Sequence, residues 1–140
     1  MKKLKKRKSG QAVIEFVFVL GLYFSLLGFM FSGFQLMHSK MIADISAYTG
    51  ARYATINSYS QVEARAYAED ILNLNAFRGT DTSHVGFERN GDYVTCFVAT
   101  EISFLFPMID PNNPVVPAKT KEISAQFTMR SERVQGQQNP

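Results

Sequence analysis

Residues Phe16–Phe34, FVFVLGLYFSLLGFMFSGF, are nineteen residues without a charge. A helix of that length is about what is needed to cross a hydrocarbon core of roughly 30 Å. Directly before it lie Lys2, Lys3, Lys5, Lys6, Arg7 and Lys8, six of the fifteen Lys and Arg residues of the 140-residue chain. By the positive-inside rule such a cluster stays in the cytoplasm, so residues 1–10 are expected inside and everything after about residue 35 outside. A cleaved signal peptide has an apolar core of only ~7–15 residues followed by a small-residue cleavage site. Gln35–Lys40 (QLMHSK) offers no such site, so the helix is expected to be retained. The expected location is the inner (cytoplasmic) membrane, single-pass, with an extracytoplasmic C-terminal part.

Composition narrows the function. From residue 11 onward there are nine basic and twelve acidic residues, which gives no phosphate-binding footprint, so no nucleic-acid partner is expected. With 46% hydrophobic and 19% charged residues the chain is that of a folded protein. One cysteine, Cys96, and two isolated histidines, His38 and His84, allow neither an intramolecular disulfide nor a metal cluster. There is no Gly-rich phosphate loop and no nucleophile motif. The expectation is a non-enzymatic protein with no metal, no cofactor and no small-molecule substrate.

Glu15 interrupts the apolar pattern, with Ala12, Val13 and Ile14 on one side and the uncharged run on the other. A carboxylate drawn into the apolar layer costs up to a few kcal/mol and is usually paired or functional. Two readings stand for it: a side chain that snorkels to the headgroups or protonates, or one that is paired or functional. Ser9-Gly10 precedes it, so a cut after Gly10 would place a new α-amine on Gln11, four residues from Glu15.

The run Gly10-Gln11-Ala12-Val13-Ile14-Glu15-Phe16, behind a short basic leader and ahead of an apolar helix, resembles the class III (type IVb) prepilin processing site. Gly50-Ala51-Arg52-Tyr53-Ala54 resembles the end of the conserved segment in TadE-like pseudopilins, or minor pilins, of tight adherence (Flp) pili. The resemblance covers residues 7 to about 56. It implies cleavage between Gly10 and Gln11 by a membrane-embedded prepilin peptidase, and a role for Glu15 and Phe16 in assembly with other pilin subunits and the assembly platform. The chain departs from the family at Gly21, where proline is common, and at Tyr48-Thr49, where a charged pair is usual.

Proline is absent until Pro107, and Phe34, Met37, Met41, Ile45 and Tyr48 recur at spacings of three and four, an amphipathic stripe that extends the helix outward. From Gln11 to Ile56 it would be roughly 69 Å long, less than half of it needed to cross a bilayer. A second stripe is small or weakly polar: Gly21, Ser25, Gly28, Ser32, then Ser39, Ala43, Ser46, Gly50 and Ala54. Such residues permit close helix packing between subunits, but they are also common in membrane helices. Arg52 either bonds to helix-end carbonyls, docks the outer part onto the stalk, or is solvated.

Residues 58–140 read as one helix on three antiparallel strands. Ser60-Gln61-Val62-Glu63 fits a capping box, and Ala64, Tyr67, Ala68, Ile71 and Leu72 form one apolar face. Val85 and Phe87 alternate with polar positions before Asn90-Gly91, a hairpin-turn signal, and Val94, Cys96, Val98, Ile102, Phe104 and Phe106 alternate after it. A turn at Asn90-Gly91 pairs Arg89 with Asp92, Phe87 with Val94 and Val85 with Cys96. Residues 107–117 carry four prolines and read as a loop, and Ile123, Ala125, Phe127 and Met129 as a third strand. Residues 131–140 read as a frayed tail. The outer core is thin unless the stalk contributes to it. Cys96 is a buried hydrophobe or an intermolecular disulfide partner, and His84 a solvated residue or a pH-sensitive contact.

The fold class expected is therefore α+β: a basic leader (1–10), a long helix (11–57, membrane span about 16–34), and a small outer domain (58–140). The functional reading is a TadE-like minor pilin or pseudopilin acting in assembly or priming of a tight adherence pilus. The alternatives are a membrane-anchored module whose outer domain binds a partner, and a pseudopilin of a secretion system.

Overall fold

The computed structural model describes residues 4–56, 60–75, 77–110 and 113–131, and the side chains of all of these except 4–9, 78–82, 107–110 and 113–119. Helix α1, Leu4–Ile56, runs unbroken for 53 residues, about 80 Å at 1.5 Å per residue. No proline interrupts it. It begins within the basic leader, seven residues before Gln11, and it is long and apolar enough to cross a membrane.

Helix α2, Gln61–Asn73, starts as its capping box dictates: Ser60 Oγ accepts from the Glu63 amide at 3.4 Å, supplying one of the partners that a helix start lacks. Ala64, Ala68 and Leu72 are buried, Ile71 is half-buried, and Tyr67 lies at the rim. Three strands follow, β1 (Arg78–Asn90), β2 (Tyr93–Asp110) and β3 (Asn113–Arg130), in an antiparallel sheet of order β1-β2-β3. The architecture is α+β, as the sequence patterns imply.

Two local expectations are corrected. The first hairpin turns at Gly91-Asp92, one residue later than Asn90-Gly91, so Asn90 pairs with Tyr93, Arg89 with Val94, Phe87 with Cys96 and Val85 with Val98. The left-handed residue the turn needs is Gly91, with φ of 60° at the first loop position, and Asn90 is left free to join the ladder. Each partner moves by two, so the same side chains stay on the same face. The second correction concerns 107–117. The described part, 107–110 and 113–117, is not a free loop: β2 continues to Asp110, and β3 pairs Met108 with Ala118 and Ile109 with Pro117, while 111–112 lie outside the described residues. Prolines are accommodated because the ladder is irregular between Ser103 and Met108 and again beyond Ile109. Of the tail, only Ser131 is among the described residues.

The core lies between the inner sheet face and α1. Val94, Cys96, Val98, Ile102 and Phe104 of β2 are buried, with Val85, Ile123 and Ala125 beside them. Thr100 shares that face and is also buried, which its polarity hides in the sequence. Helix α1 contributes Ala43, Ala47, Ala51 and Ala54, and α2 contributes Ala64, Ala68 and Leu72. Small side chains on the helix thus face large ones on the sheet, which brings the helix close and lets the thin layer reach close packing. The apolar stripe Phe34, Met37, Met41, Ile45 and Tyr48 is the face left open, each residue 39% exposed or more.

Candidate functional site

The residues that carry the processing-site resemblance stand on the free part of α1. Gly10 is exposed and has no neighbour within 4 Å of where a Cβ would stand. Gln11 Nε2 donates to Glu15 Oε1 at 3.2 Å, an exposed i, i+4 pair one turn apart. Phe16 is 65% exposed. In the intact chain the Gly10–Gln11 bond is therefore helical, and the Gln11 side-chain amide, rather than an α-amine, faces the carboxylate.

The small-residue stripe divides into two parts. Around Gly21 nothing approaches, and Ser25 Oγ simply donates to the Gly21 carbonyl at 2.9 Å. From Gly28 outward the stripe is occupied by the chain's own outer domain. The Phe106 ring lies 3.4 Å from the Cβ position of Gly28, and Ser32 Oγ donates to the Phe106 carbonyl at 3.1 Å. Of the four residues read as helix-packing positions, Gly21 and Ser25 stay open to another helix, whereas Gly28 and Ser32 hold β2.

This seam continues upward through polar groups that each take a backbone or amide partner. Gln35 Oε1 accepts from the Leu105 amide at 3.3 Å. Ser39 Oγ donates to Asn75 Oδ1 at 3.2 Å, and the same oxygen accepts from the Phe77 amide at 3.1 Å. Ser46 Oγ donates to the Ala68 carbonyl at 2.7 Å. Buried polar atoms left unpaired cost ~1–3 kcal/mol each, so these bonds fix the rotation of α1 against the sheet as well as its distance. Neither Gln35 nor Asn75 is picked out as a packing residue by the sequence reading. Gln35 continues the 28–32 spacing by three, a signal that its polarity obscured.

The Gly50-Ala51-Arg52-Tyr53 run sits where α1, α2 and β2 meet. A Cβ on Gly50 would stand 2.9 Å from Cys96 Sγ and 3.2 Å from Ala68 Cβ, so only glycine fits there without displacement. Ala51 is fully buried. Tyr53 stacks on Tyr67 with ring centroids 4.8 Å apart, and its hydroxyl donates to Glu63 at 3.5 Å. It is Tyr53, not Arg52, that docks the second helix. The Arg52 side chain is exposed, and its carbonyl accepts from Thr55 Oγ1 at 2.7 Å. Burial pushes the Cys96 thiol up from 9.0 to about 12, which keeps it protonated and unreactive. His84 is exposed. Among the described residues no group of three His, Cys, Asp or Glu could hold a metal ion.

A model of the TadE-like protein family matches residues 10–52. No curated relative and no solved structure matches the chain. The matched segment begins at the glycine of the processing-like run and ends within the Gly50–Tyr53 run, so it contains the first motif, the helix that follows, and the second motif as far as Arg52. The segment that carries the candidate site is thus similar to TadE-like proteins over 43 of the chain's 140 residues.

Proposed function

We propose that this protein is a minor pilin or pseudopilin, cut after Gly10 by a prepilin peptidase, that acts without catalysis in building or priming a tight adherence pilus. The reading rests on one observation. Gly10, Gln11, Glu15 and Phe16 occupy an exposed, unpartnered length of helix, while the upper half of the same helix is clamped into a folded head. An anchor alone needs no carboxylate one turn from a glycine at the edge of its apolar run.

In this reading the N-terminus is cytoplasmic, the head is extracytoplasmic, and the helix holds the precursor in the inner membrane. Cutting requires the helix to open around Gly10, and glycine lowers the cost of opening by ~1 kcal/mol relative to alanine. The α-amine released on Gln11 is then free to pair with Glu15 of a neighbouring subunit, each charge offsetting the other's desolvation and setting the axial register. The partners are the peptidase, other pilin subunits and the assembly platform. Intact mass of the protein from its native membranes tests the reading: a mature chain beginning at Gln11 is expected, and a chain retaining residues 1–10 in cells with an active peptidase refutes it.

A further inference from the structure

The end of the head nearest the apolar segment is itself apolar, and β2 and the residue ahead of β1 build it. Leu105 and Phe106 of β2 are 69% and 46% exposed. Phe77 places its ring edge-on to Phe31, Phe34 and His38 of α1, with centroids 5.7–6.5 Å apart, and Phe31 also meets Phe106. From Ile102 to Ala118 the only charged residue is Asp110, and β2 runs on for four residues beyond Phe106.

This rim lies at a definite height on α1. Phe106 touches Gly28, which is six residues, or about 9 Å, inside the outer end of the uncharged run. If the hydrocarbon slab covered residues 16–34, strand backbone would enter it, and non-helical backbone is not tolerated in contact with lipid. Counting twenty residues inward from Gly28, about 30 Å of helix, reaches Ser9, directly after the last leader cation, Lys8. A slab over 9–28 therefore leaves the cations at one headgroup layer and the apolar rim at the other.

We propose that the rim formed by Phe77, Leu105 and Phe106 is a second membrane contact, seated in the outer lipid interface, and that it sets the span at about residues 9–28. The occupant is lipid because the rim is continuous with the membrane-crossing surface through Phe31 and Gly28. Aromatic side chains favour this interfacial layer. The inference rests on α1 spanning the membrane and deepens the proposed role of Glu15, which would lie about 9 Å inside the cytoplasmic face.

The chain has no tryptophan, so single-tryptophan variants of the full chain in phosphatidylcholine vesicles report depth through quenching by brominated acyl chains. Leu105→Trp should be blue-shifted and quenched by bromines near the headgroups, and Phe77→Trp, on a separate segment, should be quenched likewise. Phe18→Trp should be quenched by deep bromines more strongly than Phe24→Trp, because residue 18 is central in a 9–28 span and residue 24 nearly central in a 16–34 span. Tyr93→Trp, at the far hairpin, should be unaffected. Unquenched Phe77→Trp and Leu105→Trp beside a quenched Phe18→Trp overturns the rim and leaves the spanning helix standing. An unquenched Phe18→Trp overturns the spanning helix itself. A blue shift at the rim that grows with protein-to-lipid ratio without quenching assigns the surface to a second copy and overturns the lipid contact.

Discussion

Replacing Gly50 with alanine sets two opposed effects against each other inside one helix. Alanine is favoured over glycine in a helix interior by ~1 kcal/mol, and at an open position the change would stabilise. Here the new methyl would stand 2.9 Å from Cys96 Sγ and 3.2 Å from Ala68 Cβ. Both neighbours lie close to backbone, on the buried face of α2 and in the central strand, so neither can swing aside as the end of a long side chain would. Overfilling a well-packed site costs typically ~1–3 kcal/mol, and against the ~1 kcal/mol gain the steric term should win, for a net loss of up to ~2 kcal/mol. For a head of this size that lowers the melting temperature by about 4–8 °C per kcal/mol. Following the sheet signal by circular dichroism of the full chain in detergent would measure it. Cys96→Ala removes the nearer obstacle, so the double variant should recover part of the loss, with a coupling of ~1 kcal/mol. Additivity within about 0.5 kcal/mol, or a Gly50→Ala protein more stable than its parent, refutes the claim that glycine is there for contact.

The remaining expectations are briefer. Glu15→Ala, made and processed, should remain in membranes yet fail to enter or prime filaments, since one-sided loss of a buried pair costs ~3–5 kcal/mol; pili of normal number with it as the only copy would refute the role. Gly10→Leu should accumulate as full-length precursor on an immunoblot of membrane fractions, and normal processing would remove the argument for this site. A head beginning at Gln35 should melt well above one beginning at Ser58, because only the former keeps Ala43, Ala47 and Ala51 over the sheet; equal melting temperatures would exclude α1 from the core. The thiol of Cys96 keeps its proton in the folded chain up to about pH 12 but loses it near 9.0 when unfolded. Stability should therefore fall as pH rises through that interval, and the fall should be shallower in Cys96→Ala; parallel curves would refute it.

Periodicity made most of the architecture readable. The uncharged run, the capping box at Ser60 and the alternation from Val94 to Phe104 each report a local rule that tertiary context did not override. The hairpin register was not readable, because Asn90-Gly91-Asp92 contains two possible two-residue loops and only the backbone angle at Gly91 chooses between them. The strands through Pro107 and Pro117 were hidden because proline argues against a ladder except where the register slips. At the candidate site, the motifs at Gly10–Phe16 and Gly50–Tyr53 were visible as spacing. What the outer half of the small-residue stripe touches was not, since a Gly or Ser face suits a neighbouring helix and an intramolecular strand equally well. Only the long-range bonds from Ser32, Gln35 and Ser39 decide between them.

The seam from Gly28 to Ala54 also has a mechanical meaning. About half of an 80 Å rod is fused to the head through short side chains and fixed hydrogen bonds, with no glycine-rich hinge between the two, so the molecule behaves as a single lever. In the proposed role, a machine that drew the lower helix out of the bilayer would carry the head with it. Axial pull and twist applied at Gln11 arrive undiminished at the outer sheet, and the head's surface must turn through whatever angle the helix turns.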